Sequence, residues 1–586
     1  MAAGGVASFL VLSSCAPQAE TNKTSTTPSC TSLSSGASWD PSGLVAAGLG
    51  ESNRDSSVSV TTQTLNASGV LSGIDASFAR TAQALMSVTF TVSQDLGVAG
   101  SLTLVADASV TPTSQLPSLK GYPILVKLEA PNPEGGAALD WIQLTSGSNC
   151  TSSTPYTCVS SSCSLNTSCN PGVSSAYFGD RDQWEQHHTV LDSVNTASVY
   201  SFPTCQWTSP AIGSAGGCAF SSSGSGHFLT AGGKIPQGSY TATFAVMTNY
   251  LNASIGNDKP VTLSVKVIQK KDSTLSVATL SSALGNGSVD VNVILVGNTS
   301  VNASRTIDGQ RNLDELIKQS HRIFSGRSGD ASGPTSAATA AYAGANVGTG
   351  IRFGKITAYE WTCQNGGEAY ANLATDDDYK TLFKVGSQLV DPTSEGKALN
   401  VFIVDSLPDS TLGVAGGITG SPVNGTGMSG LVFSSFGNLG KYNGACTGQS
   451  SCAYSLQDAD FIEMGGTMAH EIGHYLSLNH PSESAGTYHD TLPDTPECNR
   501  KVTGLDFIYA TSSSCYSNSN GSLCASQCPN YSHQTSSSIF CRDADLCQWN
   551  HVMWYTSKKT IPALGTDGQI FSSQSSALMN FNSLVQ

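Results

Sequence analysis

The chain has 586 residues, 17 cysteines and a formal net charge of −15, enough length for about three domains with ample core. Only 12% of its residues are charged, and 27 Lys and Arg against 42 Asp and Glu form no basic cluster, which argues against nucleic acid and anionic lipid surfaces as partners. So many cysteines, with no paired CxxC array at finger-like spacing, point to disulfides and an oxidising compartment. Cys524 and Cys528 come nearest to such an array, but they sit among Cys515, Cys541 and Cys547 in a Ser-rich loop and read as disulfide partners.

Taken in order, residues 1–14 read as a lipoprotein signal peptide. Residues 6–12 are a short apolar run, far below the ~20 residues a membrane span needs, and the run ends in Leu12, Ser13, Ser14, Cys15. That ending resembles a bacterial lipobox, whose cysteine becomes the lipidated first residue of the mature protein and anchors it to the outer face of a membrane. Setting Cys15 aside leaves an even number of cysteines. The opening MAAGG departs from the pattern, which has Lys or Arg near the start. Residues 15–57 are Ser/Thr/Pro-rich and read as a tether, and Cys30 within them pairs with a distant cysteine or caps a metal as a latency switch.

Residues 58–271 carry the alternating, β-branched patterns of strands: VSVTTQTL, SVTFTVS, SLTLVADASV, YPILVKLEA, SYTATFAVMTNY and VTLSVKVIQ, separated by Gly, Asn, Pro and Ser turns. They predict an all-β, sandwich-like region, built as one elaborated sandwich or two smaller ones, with the last two strands as its closing hairpin. Six cysteines from Cys150 to Cys218 suffice for three local disulfides. His187 and His188 read as an exposed polar loop rather than a second metal site.

Residues 272–287 read as a linker and residues 288–586 as a second domain. VDVNVILVG predicts a buried strand, residues 312–324 an amphipathic helix, and IRFGKITAYEW and ALNVFIVDSL further strands.

Residues 461–480, FIEMGGTMAHEIGHYLSLNH, carry the chemistry. Phe461, Met464, Met468, Ile472 and Tyr475 recur at helical spacing and form a packing stripe, while Glu463, Thr467, His470, Glu471 and His474 share another face. Asp458 or Asp460 can cap the helix. His470 and His474 lie one turn apart, so two imidazoles reach one metal, and Glu471 stays free as a general base for water. His480 supplies a third ligand if the chain turns after His474, as Asn479 and Pro481 allow. Three protein ligands leave a fourth position open, the arrangement of a catalytic zinc site.

The pattern HExxHxxxxxH resembles the metzincin clan of zinc peptidases, whose usual form has glycine where Ser477 stands. An L-residue takes the left-handed conformation of that glycine at a cost of roughly 1 kcal/mol. CQWNHVMWYT resembles the methionine turn of those enzymes, with Met553 as the floor and Tyr555 two residues on. Asn550, Met553 and Tyr555, the DTLPDTP segment, and QIFSSQSSALM as a closing helix resemble the pappalysin and cytophagalysin family.

The resemblance implies an α+β zincin-type catalytic domain. Its upper part would hold the strands, helix and zinc helix, with GMSGLVFSSFG (residues 427–437) as the antiparallel edge strand that aligns an extended peptide. Its lower part, from His480 to the end, would be disulfide-held with little regular structure. It implies one catalytic zinc on His470, His474 and His480, with Tyr555 stabilising the oxyanion or ligating the metal. Asp490 and Asp494 would structure the active-site loop and admit a calcium ion.

The resulting expectation is a secreted or surface-anchored zinc endopeptidase acting on protein or peptide substrates. The alternatives are a surface adhesin with a non-catalytic zincin fold, against which the intact Glu471 speaks, and a zinc hydrolase of non-peptide substrates.

Overall fold

The computed structural model describes residues 40–42, 44, 49, 57–71, 83–97, 99–111, 120–132, 135–145, 156–159, 162–165, 172–174, 191, 194–203, 235–248, 259–272, 287–297, 309–325, 349–361, 366–408, 411–434, 458–480, 553, 571 and 573–586. Cys15, Asp490, Asp494, Tyr555, His187, His188 and most cysteines lie outside them, and so do the disulfide, lipidation and calcium expectations.

The first region is all β. In chain order its strands are β1 (Val58–Leu71), β2 (Gln83–Val92), β3 (Ser101–Val110), β4 (Gly121–Ala130), β5 (Leu139–Thr145), β6 (Tyr156–Val159), β7 (Ser162–Leu165), β8 (Gly172–Ser174), β9 (Ser198–Pro203), β10 (Gly238–Thr248) and β11 (Lys259–Asp272). β6 and β7 form a separate antiparallel hairpin. The other nine make one sheet in two layers. β1, β11, β3 and β9 pair in one, β2, β10, β4, β5 and β8 in the other, and a single residue pair, Ala108 opposite Gly121, joins them. A β-carbon at Gly121 would come within 3.0 Å of Ala108 Cβ, so glycine lets the chain turn this corner.

Alternation explains the layers. Val261, Leu263, Val265 and Val267 of β11 point inward with Leu102, Leu104, Tyr200 and Phe202, against Val88, Phe90, Tyr240, Phe244 and Ile124 of the facing layer. Aromatic rings bridge the layers, with Tyr200 6.3 Å from Phe244 and Trp141 6.2 Å from Phe202. Tyr200 Oη accepts a hydrogen bond from Leu125 N at 2.9 Å. Among the described residues one sandwich is therefore built, not two. The expected closing hairpin is not formed: β10 pairs with β2 and β4, and β11 with β1 and β3. Consecutive strands with alternating faces look alike whether they pair or cross between layers, so the pattern could not separate the two.

The second region holds a five-stranded sheet in the order β13 (Arg352–Trp361), β12 (Ser288–Val296), β14 (Ala398–Val404), β16 (Leu431–Ser434), β15 (Gly413–Ala415). The first four are parallel neighbours, and β15 runs antiparallel to β16 at the edge. The edge strand is thus GVA at Gly413–Ala415. The strand inside residues 427–437, β16, is an interior parallel strand instead, as its four buried residues, Leu431 to Ser434, require.

Helices cover the sheet. α1 (Gly309–Ser325) spans the predicted amphipathic segment and packs on α3 (Asp458–Tyr475), while α2 (Asp376–Gly386) covers the other face. α3 begins at Asp458, so Asp460 falls inside its first turn, and neither side chain is described. The α1–α3 crossing is close at Gly465, where a β-carbon would lie 2.7 Å from Ser320 N. α4 (Ser573–Phe581) closes the chain, but in the same core as the sheet and not in a separate lower part. Phe571 stacks edge-on against Phe324 at 5.7 Å, and Ser288 and Gln586 exchange two main-chain hydrogen bonds at 2.7 and 2.8 Å.

The sandwich docks on this domain through the outward face of β11. Lys266 pairs with Glu395, Ile268 buries with Val423 and Met428, and Lys270 donates to Asn580 O.

Candidate metal centre

The apolar stripe of α3 fixes the direction of its polar face. Phe461, Met464, Met468, Ile472 and Tyr475 are all buried in the core shared by α1 and the sheet. His470, Glu471 and His474 lie off that stripe, each under a tenth exposed, with Glu471 against the edge strand β15.

Past Tyr475 the helix unwinds. Ser477 takes φ 93°, in the left-handed region, Ser477 N donates to His474 O and Leu478 N to Gly473 O, both at 2.9 Å. The serine takes a backbone conformation that ordinarily favours glycine. Its buried hydroxyl meets Thr419 Oγ1 at 2.7 Å, a contact that helps hold the conformation. The turn carries His480 back to the helix.

Three imidazoles then converge. His480 Nε2 lies 3.1 Å from His474 Nε2 and 3.2 Å from His470 Nε2. Tetrahedral zinc, with nitrogens at roughly 2.0–2.1 Å, separates its ligand atoms by about 3.3 Å, so the spacing fits one ion. Among the described residues this is the one group of three potential ligands whose atoms approach so closely. Its protonation fits as well. His474 Nδ1 lies 2.7 Å from Leu478 O, which fixes the proton on Nδ1 and turns Nε2 to the centre. Burial, then the neighbouring His470 and His480, hold its pKa well below the ordinary imidazole range, so it stands neutral as a ligand must.

Glu471 is not among the converging atoms. Its carboxyl lies against β15, where a β-carbon on Gly413 would be 2.7 Å from its Cγ and 3.2 Å from Oε1. Burial pushes its pKa up to about 8, opposed by a hydrogen bond from the Ala415 main-chain N–H. A carboxyl raised towards neutrality holds and releases a proton readily.

Met553 lies beneath the metal helix. It is fully buried, and a β-carbon on Gly473 would collide with its sulfur, so the glycine between the two helical histidines makes room for it. The structure thus brings together His470, Glu471, His474, His480 and Met553. Gly413, Ala415 and Thr419 belong with them and were not read from the sequence. A three-residue strand within a Gly-rich stretch shows no periodicity, and the one available signal was the glycine content of residues 413–420.

No protein-family model matches the chain, and no curated protein matches it either.

Proposed function

We propose that the chain is a zinc-dependent endopeptidase of metzincin type, in which residues 288–586 form the catalytic domain. The observation that carries this reading is the convergence of His470, His474 and His480 beside a buried Glu471 that lies against a sheet edge. Zinc, when bound by these histidines, supplies the Lewis acidity that lowers the pKa of water towards neutrality.

The chain's own residues supply the rest. β15 is the outer strand of its sheet, and an extended peptide pairs with such an edge through main-chain hydrogen bonds. That pairing favours peptides over other substrates and would draw the scissile bond past Glu471. Glu471 accepts the proton of the attacking water and passes it to the leaving amine. Leu478 O keeps His474 in one tautomer through the cycle. Tyr555 stabilises the developing oxyanion or ligates the metal, the role that the resemblance to metzincins implies for the tyrosine two residues after Met553. Surface anchoring through Cys15 rests on the lipobox-like residues and the many cysteines. No helix among the described residues is long and apolar enough to cross a membrane.

The test is cleavage of a mixed peptide library by the chain from Cys15 onward, read by mass spectrometry with and without a zinc chelator. Chelator-sensitive cleavage with a common residue pattern at the cut supports the proposal. A zinc-loaded chain that leaves the library intact favours the adhesin reading.

A further inference from the structure

The loop of residues 416–430, which leaves β15 and returns to β16, is held on three sides. From the sheet, Asn400 Nδ2 donates to Asn424 Oδ1 and to Ser429 O, each at 2.9 Å, and Asn292 Nδ2 donates to Asn400 Oδ1 at 2.9 Å. From α3, Tyr475 Oη donates to Ser421 O, while Gly420 N donates to Tyr475 O at 3.0 Å. The third side is the sandwich. Val105, Val199 and Ile268, on the outward faces of β3, β9 and β11, bury against Val423 and Met428.

We propose that Met428 is a positioning residue through which the sandwich sets the edge strand against Glu471, a proposal that rests on the peptidase reading above. The chain of contacts is short. A β-carbon at Gly416 would lie 2.8 Å from Met428 Cα, and one at Gly417 would collide with Met428 Cε. Gly416 N donates to Gly430 O at 2.8 Å, so the residue that follows β15 is fixed across the turn containing Met428. One residue earlier Ala415 donates to Glu471, and Gly413 touches it. An unbranched thioether suits this place, since it fills an irregular gap between two domains and two glycines.

Removing that side chain opens a gap between Ile268 and Gly417 and lets residues 413–417 shift. The sandwich itself stays docked, because the Lys266–Glu395 and Lys270–Asn580 contacts lie elsewhere on β11. A displacement of 1 Å at a catalytic group can cost on the order of 100-fold in rate, so a small shift is readable.

The experiment compares the full chain with its Met428→Ala, Met428→Leu and Ile268→Ala variants. It reads kcat and KM on a peptide that the parent cleaves, zinc content, and amide hydrogen exchange over residues 413–421. Met428→Ala is expected to lower kcat/KM by about 10- to 100-fold, mainly through kcat, with zinc content unchanged and faster exchange at 413–417. Ile268→Ala gives a smaller effect of the same kind, not additive with the first. Met428→Leu restores parental values. Parental exchange and kcat/KM in Met428→Ala overturn the proposal. A parent chain that cleaves nothing defeats the peptidase reading alone, and exchange at 413–417 still decides whether Met428 holds the edge strand.

Discussion

Ser477 Oγ lies 2.7 Å from Thr419 Oγ1, and this pair of buried hydroxyls ties the end of the metal helix to the loop behind the edge strand. Ser477 also holds a left-handed backbone, φ 93°. Two substitutions separate these effects. Ser477→Gly relieves the strain, roughly 1 kcal/mol, but strands Thr419 at about 1–3 kcal/mol, so its net loss is about 0–2 kcal/mol. Ser477→Ala keeps the strain and strands Thr419, and is expected to cost about 1–3 kcal/mol. Urea denaturation of both variants checks the order, and an alanine variant as stable as glycine contradicts it.

Gly413 has no side chain where Glu471 lies. Gly413→Ala places a β-carbon 2.7 Å from Glu471 Cγ, so one of the two must move. The expected result is a kcat/KM lowered by about tenfold or more with a stability loss of about 1–3 kcal/mol, read by peptide kinetics and thermal unfolding.

A metal held by all three histidines would bind the native state alone, because the turn at Ser477 brings His480 to the helix. Zinc at 1,000 times its Kd is therefore expected to stabilise the fold by about 4 kcal/mol. Calorimetry with and without zinc should show a raised Tm in the parent and a much smaller rise in His480→Ala.

Lys270 is buried, 3.4 Å from Asp272, and donates to Asn580 O. Burial pulls its pKa down to about 8 from 10.5, with Asp272 opposing. Between those values the unfolded chain keeps a proton that the folded chain has released, so stability rises with pH across that window. Below about pH 8 both states are protonated and the destabilisation is present in full. Between pH 7.5 and 9.5 the parent should gain on the order of 1–2 kcal/mol relative to Lys270→Met, measured by chemical denaturation.

The parts of this structure legible in the sequence are those with a strong period or a fixed spacing. The stripe from Phe461 to Tyr475 and the 470, 471, 474, 480 spacing place the metal helix and its turn, and six alternating runs mark the main strands of the sandwich. What stayed hidden depends on contacts between distant residues. Thr419 bonds Ser477 across 58 positions, Ile268 meets Met428 from another domain, and β10 and β11 part into different layers though only ten residues separate them. Residues 427–437 read as the edge strand from their place upstream of the metal helix, where the resembling fold has one, whereas the true edge, GVA, is three residues long, lies in a Gly-rich stretch and leaves room for Glu471. β5 and β9 border Cys-rich segments whose polar composition masks their alternation.

The most direct measurement is turnover of one peptide by the parent and by Glu471→Gln, with zinc determined in both samples. Glutamine keeps the shape of the side chain and cannot accept the proton. The expected result is one zinc per chain in each, with kcat in the variant lower by about 100-fold or more. Equal turnover in the two proteins, at equal zinc, would contradict the role given to Glu471 and with it the peptidase reading of this site.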